Sequence, residues 1–102
     1  MNKQVKLLLS YNIRAGHENA YRRFVTEELL PKAQELGLTP VDAWHTAYGA
    51  YPTRLLGFLA DDLDAARSAL ASDEWKMLVR RLEGYTRDLS QRVVRFRGGF
   101  QW

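Results

Sequence analysis

Residues 41–60, VDAWHTAYGAYPTRLLGFLA, decide the fold. Val41, Ala43, His45 and Ala47 alternate with Asp42, Trp44, Thr46 and Tyr48. That is the period of two expected of a strand whose neighbouring side chains point to opposite faces. Gly49-Ala50-Tyr51-Pro52 predicts a turn, and Arg54 to Ala60 predicts a third strand that pairs back on the second as a hairpin. Gly57 inside that strand predicts a bulge or a close approach by another group.

On either side of the hairpin the period changes. Upstream, Val5, Leu7, Leu9, Tyr11 and Ile13 alternate with Lys6, Leu8, Ser10 and Asn12, which predicts a first strand that Ala15-Gly16 turns. From His17 to Leu36, Tyr21, Phe24, Val25, Leu29, Ala33 and Leu36 recur at helical spacing. Pro31 has no N–H to donate and crowds the preceding turn, so a kink is expected there, with Pro31 opening a short second segment. Gly37 is placed for a left-handed cap. Downstream, Asp61-Asp62 offers an N-cap and negative charge at a helix start, followed by Leu63, Ala66, Ala69 and Leu70. Ser72 starts a fresh helix with Asp73 and Glu74 in its first turn. Trp75, Leu78, Val79, Leu82, Tyr85 and Leu89 give that helix its apolar stripe. A last strand is expected over Gln91 to Arg97, then Gly98-Gly99 and an aromatic tail ending in Phe100 and Trp102.

Strand–helix–strand–strand–helix–strand with right-handed crossovers predicts an α+β, ferredoxin-like βαββαβ half-barrel. It is one four-stranded antiparallel sheet with helices on one face, and residues 1–102 form a single domain. Leu8, and Leu55 and Leu59 set against Leu56 and Phe58, place apolar groups on both faces. A bare apolar face does not persist on a soluble monomer, so a homodimer packed through the sheet is expected. The aromatic tail is a candidate to cross to the partner.

Composition narrows the chemistry. The 102 residues contain no cysteine, which removes disulfides and thiolate metal sites, and only two histidines. His17 and His45 lie on different elements and no His-x-x-x-His or Glu-x-x-His pair occurs, so no metal site is expected. No apolar run is long enough to span a bilayer, and the N-terminus lacks the pattern of a signal peptide. A cytoplasmic protein without a membrane partner is expected. The net charge is +3, with Arg80, Arg81, Arg87, Arg92, Arg95 and Arg97 late in the chain, a pattern that suits a solvated helix face and exposed strand positions. Arg54-Leu55-Leu56-Gly57-Phe58-Leu59 lacks the stacking aromatics of an RNA-recognition sheet, so no nucleic acid is expected. Neither a Gly-x-Ser-x-Gly elbow nor a phosphate-cradling glycine loop is present.

The element order, with Tyr11-x-Ile13-x-x-Gly16 closing the first strand, resembles the dimeric α+β barrel superfamily, and within it most closely the NIPSNAP-like branch. Gly16 before the first helix, Gly37 before the second strand, and Trp44 followed by Gly49 at the hairpin carry the resemblance. Leu56 through Asp64 and the Ser72-Asp73-Glu74-Trp75 step are similar too. The resemblance covers nearly the whole chain. It implies a dimer with a pocket between sheet and helices in each subunit. The superfamily includes cofactor-independent monooxygenases, lactone isomerases, haem-degrading enzymes and stress-response proteins. The haem-degrading design needs a histidine on the second helix, where this chain has none.

Two functions follow as expectations. The first is a small-molecule-binding protein, a cofactor-independent monooxygenase or isomerase acting on an aromatic or lactone-like compound. His45 would be the general base, because a histidine titrates near working pH. Asn12 would donate to a developing oxyanion. Trp44, Tyr48, Tyr51 and Trp75 would wall the substrate, with no cofactor. Trp44 and His45 are adjacent on a strand, so only one of them can face a pocket between sheet and helices. The alternative is a non-catalytic NIPSNAP-like interaction or stress-response protein whose main property is its dimer.

Overall fold

The computed structural model describes residues 3–48 and 51–95, with side chains over residues 3–43 and 54–95. Four strands and the intervening helices follow one another as β1 (Val5–Ile13), α1 (Glu18–Phe24), a π-helical turn (Val25–Leu29), α2 (Leu30–Glu35), β2 (Thr39–Tyr48), β3 (Tyr51–Ala60), α3 (Leu63–Ala71), α4 (Asp73–Glu83) and β4 (Thr86–Arg95). The sheet order is β2-β3-β1-β4, and every neighbouring pair is antiparallel. This is the ferredoxin-like order, produced by two crossovers that carry helices over the same face.

Burial follows the alternation read from sequence. Val5, Leu7, Leu9 and Tyr11 of β1 and Leu56, Phe58 and Ala60 of β3 are buried on the helix-covered face. Phe24, Leu29, Ala33, Trp75, Leu78 and Leu82 close over them from the helices. Trp75 meets Phe58 edge-on at 5.9 Å. Its indole N–H donates to Gln91 Oε1 at 3.0 Å, so the polar edge of a buried ring is satisfied. The helix starts are capped as expected: Asp62 accepts from the Ala65 N–H at 2.7 Å and Ser72 from the Trp75 N–H at 3.2 Å.

Four expectations need correction. The kink falls one turn ahead of Pro31 and takes the form of a π turn, in which the Leu30 N–H reaches back to Val25 O. Pro31 then sits in the first turn of α2, where its missing N–H costs least. Tyr51 and Pro52 belong to β3, paired with Tyr48 and Ala47, so the ladder is longer than the turn residues suggest. Helix α4 stops at Glu83, and Tyr85 and Leu89 pack on the core from the loop and β4. The last strand starts at Thr86, five residues before the predicted Gln91. The backbone groups at the end of β1 need partners, and Asn12 pairs with Arg87 and Ile13 with Thr86. A bulge between Ser10 and Asn12, with Asp88 at φ 57°, absorbs the mismatch. The aromatic tail and Gly49-Ala50 lie outside the described residues.

The open face of the sheet carries Lys6, Leu8, Ser10 and Asn12 from β1, and Leu55, Gly57 and Leu59 from β3. At its centre the Lys6 ammonium pairs with Asp42 at 2.7 Å, reaching from β1 to β2 across β3. Gly57 is the residue crossed. A Cβ there would lie 2.8 Å from Asp42 Oδ2, so the close approach predicted for this glycine is the carboxylate of a neighbouring strand.

Candidate functional site

At the end of the sheet where β1 meets α1, the interior changes character. Tyr11 occupies the next inward position after Leu9, and Tyr21 faces it from the first turn of α1. Gly16 at φ 84° makes the reversal that brings α1 back over β1. The two hydroxyls share a hydrogen bond, and the rings lie 5.6 Å apart, edge to face. Arg54 of β3 is opposite Tyr11 in register, on the helix-covered face. Its Nε is buried with no hydrogen-bond partner among the described residues. A cleft of about 150 Å³ opens beside it, lined by Ile13, Glu18, Tyr21, Arg22, Val25, Thr26 and Arg54.

Electrostatics set what these groups can do. Burial pushes the Tyr11 phenol far above its ordinary value, and the neighbouring Tyr21 pushes it further, while the Arg54 charge opposes the shift. Burial also raises Tyr21, against its hydrogen bond to Tyr11 and the Arg54 charge. Both phenols therefore hold their protons at neutral pH. The cleft presents two permanent cations, Arg22 and Arg54, against the one carboxylate of Glu18, with the neutral Tyr21 hydroxyl in its lining, a set that favours an anionic oxygen.

The residues singled out in the sequence divide between the two faces. His45 pairs with Arg54 and Trp44 with Leu55. Residues directly opposite in a ladder share a face, so the register position of His45 is on the helix-covered side beside Arg54, and that of Trp44 is on the open face. The side chains of Trp44, His45, Tyr48 and Tyr51 lie outside the described residues. Asn12 is on the open face, where its Nδ2 donates to Asp88 at 3.3 Å. Trp75 is 1% exposed and packed in the core. It contacts the Phe58 row, four residues or roughly 13 Å along β3 from the Arg54 row. Asn12, Trp75 and the position of His45 are thus not brought into one cavity. Tyr11, Tyr21 and Arg54 were missed in the sequence. The signal was present for Arg54, which shares the inward alternation of Leu56, Phe58 and Ala60: an arginine in core register needs a reason.

Neither a family model nor a curated protein matches the chain. Solved structures do. A NIPSNAP family protein from Agrobacterium tumefaciens superposes with a TM-score of 0.71, covering 96% of this chain and 90% of that one at 18% identity. The chain shares the ferredoxin-like α+β fold of this NIPSNAP protein. An uncharacterized NIPSNAP-like domain protein from Burkholderia xenovorans gives 0.69 over 99% and 91% at 14% identity. SnoaB, a cofactor-independent oxygenase from Streptomyces nogalater, gives 0.69 over 95% and 96% at 13% identity. At these identities the NIPSNAP-like likeness is one of fold, and chemistry must be argued from the residues present. No helix among the described residues is long and apolar enough to cross a membrane.

Proposed function

We propose that the protein binds a small aromatic or lactone-like compound in the cleft at Tyr21 and Arg54, and that it does so as a homodimer packed through its open sheet face. The observation that carries the reading is the buried Arg54 Nε without a partner beside two neutral phenols. An unsatisfied buried donor costs about 1–3 kcal/mol, so Arg54 is kept in inward register at a cost, with the rest of its guanidinium lining the cleft where a ligand oxygen can meet it. A cleft of about 150 Å³ matches one aromatic ring, since an apolar cavity of about that size takes up benzene. Leu8, Leu55 and Leu59, half-buried on the open face, favour a second sheet as its cover.

In this reading His45 takes a proton from the ligand, and the negative charge gathers on an oxygen held by Arg54 and the Tyr21 hydroxyl. In an isomerisation the proton returns to a different atom. In an oxygenation, dioxygen is the oxidant: an activated methylene becomes a carbonyl, one oxygen atom stays on the ligand and the other leaves as water. By the same parity the register positions of Tyr48 and Tyr51, paired at the hairpin end, are on the open face with Trp44, away from the cleft. Asn12, Trp44 and Trp75 fall outside it. The fold shared with the oxygenase SnoaB supports the oxygenase arm.

A second reading has its own observation. Trp75, Phe58, Tyr11 and Phe24 are all buried large rings between sheet and helices, which favours a non-catalytic NIPSNAP-like interaction protein. A thermal-shift screen with phenols, quinones and lactones separates the two, because a ligand that binds only the folded state raises Tm. The proposal expects a rise with one class and its loss in Arg54→Met. A flat response from a well-folded dimer favours the interaction protein.

A further inference from the structure

On the outer side of the helices, away from the cleft and the open sheet face, a second concavity of about 430 Å³ runs between α2 and α4. Pro31, Met77 and Leu78 contribute its apolar floor. Met77 is 64% exposed, more than any other large hydrophobic among the described residues. A flexible, polarisable side chain left in water beside a groove is the kind used to grip apolar partners of varied shape. The π turn contributes too. Its wider winding places consecutive residues, Glu27 and Glu28, on the groove wall, and such turns recur at functional positions.

The charge of the groove is opposite to that of the chain. Four carboxylates line it, Glu27, Glu28, Glu35 and Glu74, against two cations, Lys32 and Arg81, while the protein as a whole carries +3. Glu28 is held by Arg81 through two hydrogen bonds, one of them 2.7 Å, which keeps its carboxyl below the ordinary carboxylate range. Glu35 lies 3.8 Å from Lys32. Glu27 and Glu74, one on each wall, have no ion pair among the described residues.

We propose that this groove docks a cationic amphipathic helix from a partner protein. Its apolar stripe would lie on Met77, Leu78 and Pro31, with lysines or arginines on both flanks meeting Glu27 and Glu74. From Glu74 to Arg81 the α4 wall runs two turns, roughly 10 Å, which suits the i, i+3, i+4, i+7 anchors of a helix laid in a groove. A second copy of this chain does not supply that helix among the described residues, because the apolar stripes of its own helices are buried.

The test uses fluorescence anisotropy with a labelled leucine–lysine peptide patterned as an amphipathic helix. A scrambled peptide of the same composition and a leucine–glutamate counterpart serve as controls. Only the patterned basic peptide is expected to bind. Met77→Asp should weaken it by at least about tenfold, the cost of losing a central apolar anchor. Glu27→Gln with Glu74→Gln should weaken it about three- to tenfold and flatten its salt dependence. Arg54→Met, which empties the proposed ligand cleft of its charge, should bind the peptide as the wild type does. All three residues changed in the groove are exposed, so unchanged melting confirms that these variants fold. Equal binding of the scrambled or acidic peptide, or equal binding to the groove variants, would overturn the proposal. So would self-association of the wild type that Met77→Asp abolishes in sedimentation, since it gives the groove to a second copy.

Discussion

The two ends of the space between sheet and helices solve the same problem differently. At one end Trp75 puts a large ring with one polar atom into the core, and Gln91 receives its N–H at 3.0 Å. At the other end Arg54 puts a guanidinium into inward register, and its Nε has no partner among the described residues. The tyrosine hydroxyls beside it share one hydrogen bond, which leaves one O–H still to donate. A fold built only for stability would complete both ends or make both apolar. In the proposed reading the satisfied end holds the fold and the unsatisfied end takes the ligand.

The largest effect is expected at the satisfied end. Trp75→Ala removes a buried indole from contact with Phe58 and should cost about 3–5 kcal/mol by chemical denaturation, enough to endanger folding. Gln91→Leu keeps the packing and strands the indole N–H, and should cost about 1–3 kcal/mol. At the unsatisfied end the sign reverses. Arg54→Met removes a buried Nε donor that makes no hydrogen bond among the described residues, so stability should stay within about 1 kcal/mol of wild type or rise, while ligand binding disappears. A loss as large as that of Gln91→Leu would show that Arg54 is part of the scaffold and erase the contrast.

A smaller effect concerns pH. Tyr11 and Tyr21 keep their protons in the folded state beyond the ordinary tyrosine value of 10.0, whereas the unfolded chain releases them near it. Stability from this pair is therefore fully present below about pH 10 and falls as pH rises above that value. Tyr11→Phe should flatten the alkaline limb in pH-dependent unfolding. An alkaline limb identical to that of the wild type would contradict the burial assigned to this pair.

The sequence made the fold legible because each element advertised its own period and punctuation. Alternation in residues 5–13, caps at Asp62 and Ser72, and glycines at 16 and 37 all agree with the structure. The misreadings arose where tertiary pairing overrode a local pattern. Tyr85 and Leu89 have helical spacing from Leu82, yet β1 needed a ladder partner and drew Thr86–Arg95 into a strand. The site was harder to read. Asn12 and His45 are both polar residues on strands, but the parity of their register places them on opposite faces. That parity depends on the bulge between Pro40 and Asp42, which nothing in the local sequence announces. Arg54 was read only as the first residue of the third strand, and its place opposite Tyr11 follows from the β1–β3 register.

The most direct test of the cleft is a spectrophotometric titration of 4-nitrophenol, a one-ring phenol whose ionised form absorbs apart from its neutral form. Bound beside Arg54, the probe should ionise at lower pH than it does free in solution, and Arg54→Met should abolish both the shift and the binding. A probe that binds wild type and Arg54→Met alike, or that leaves both unperturbed, would contradict the assignment of this end of the interior as the ligand site.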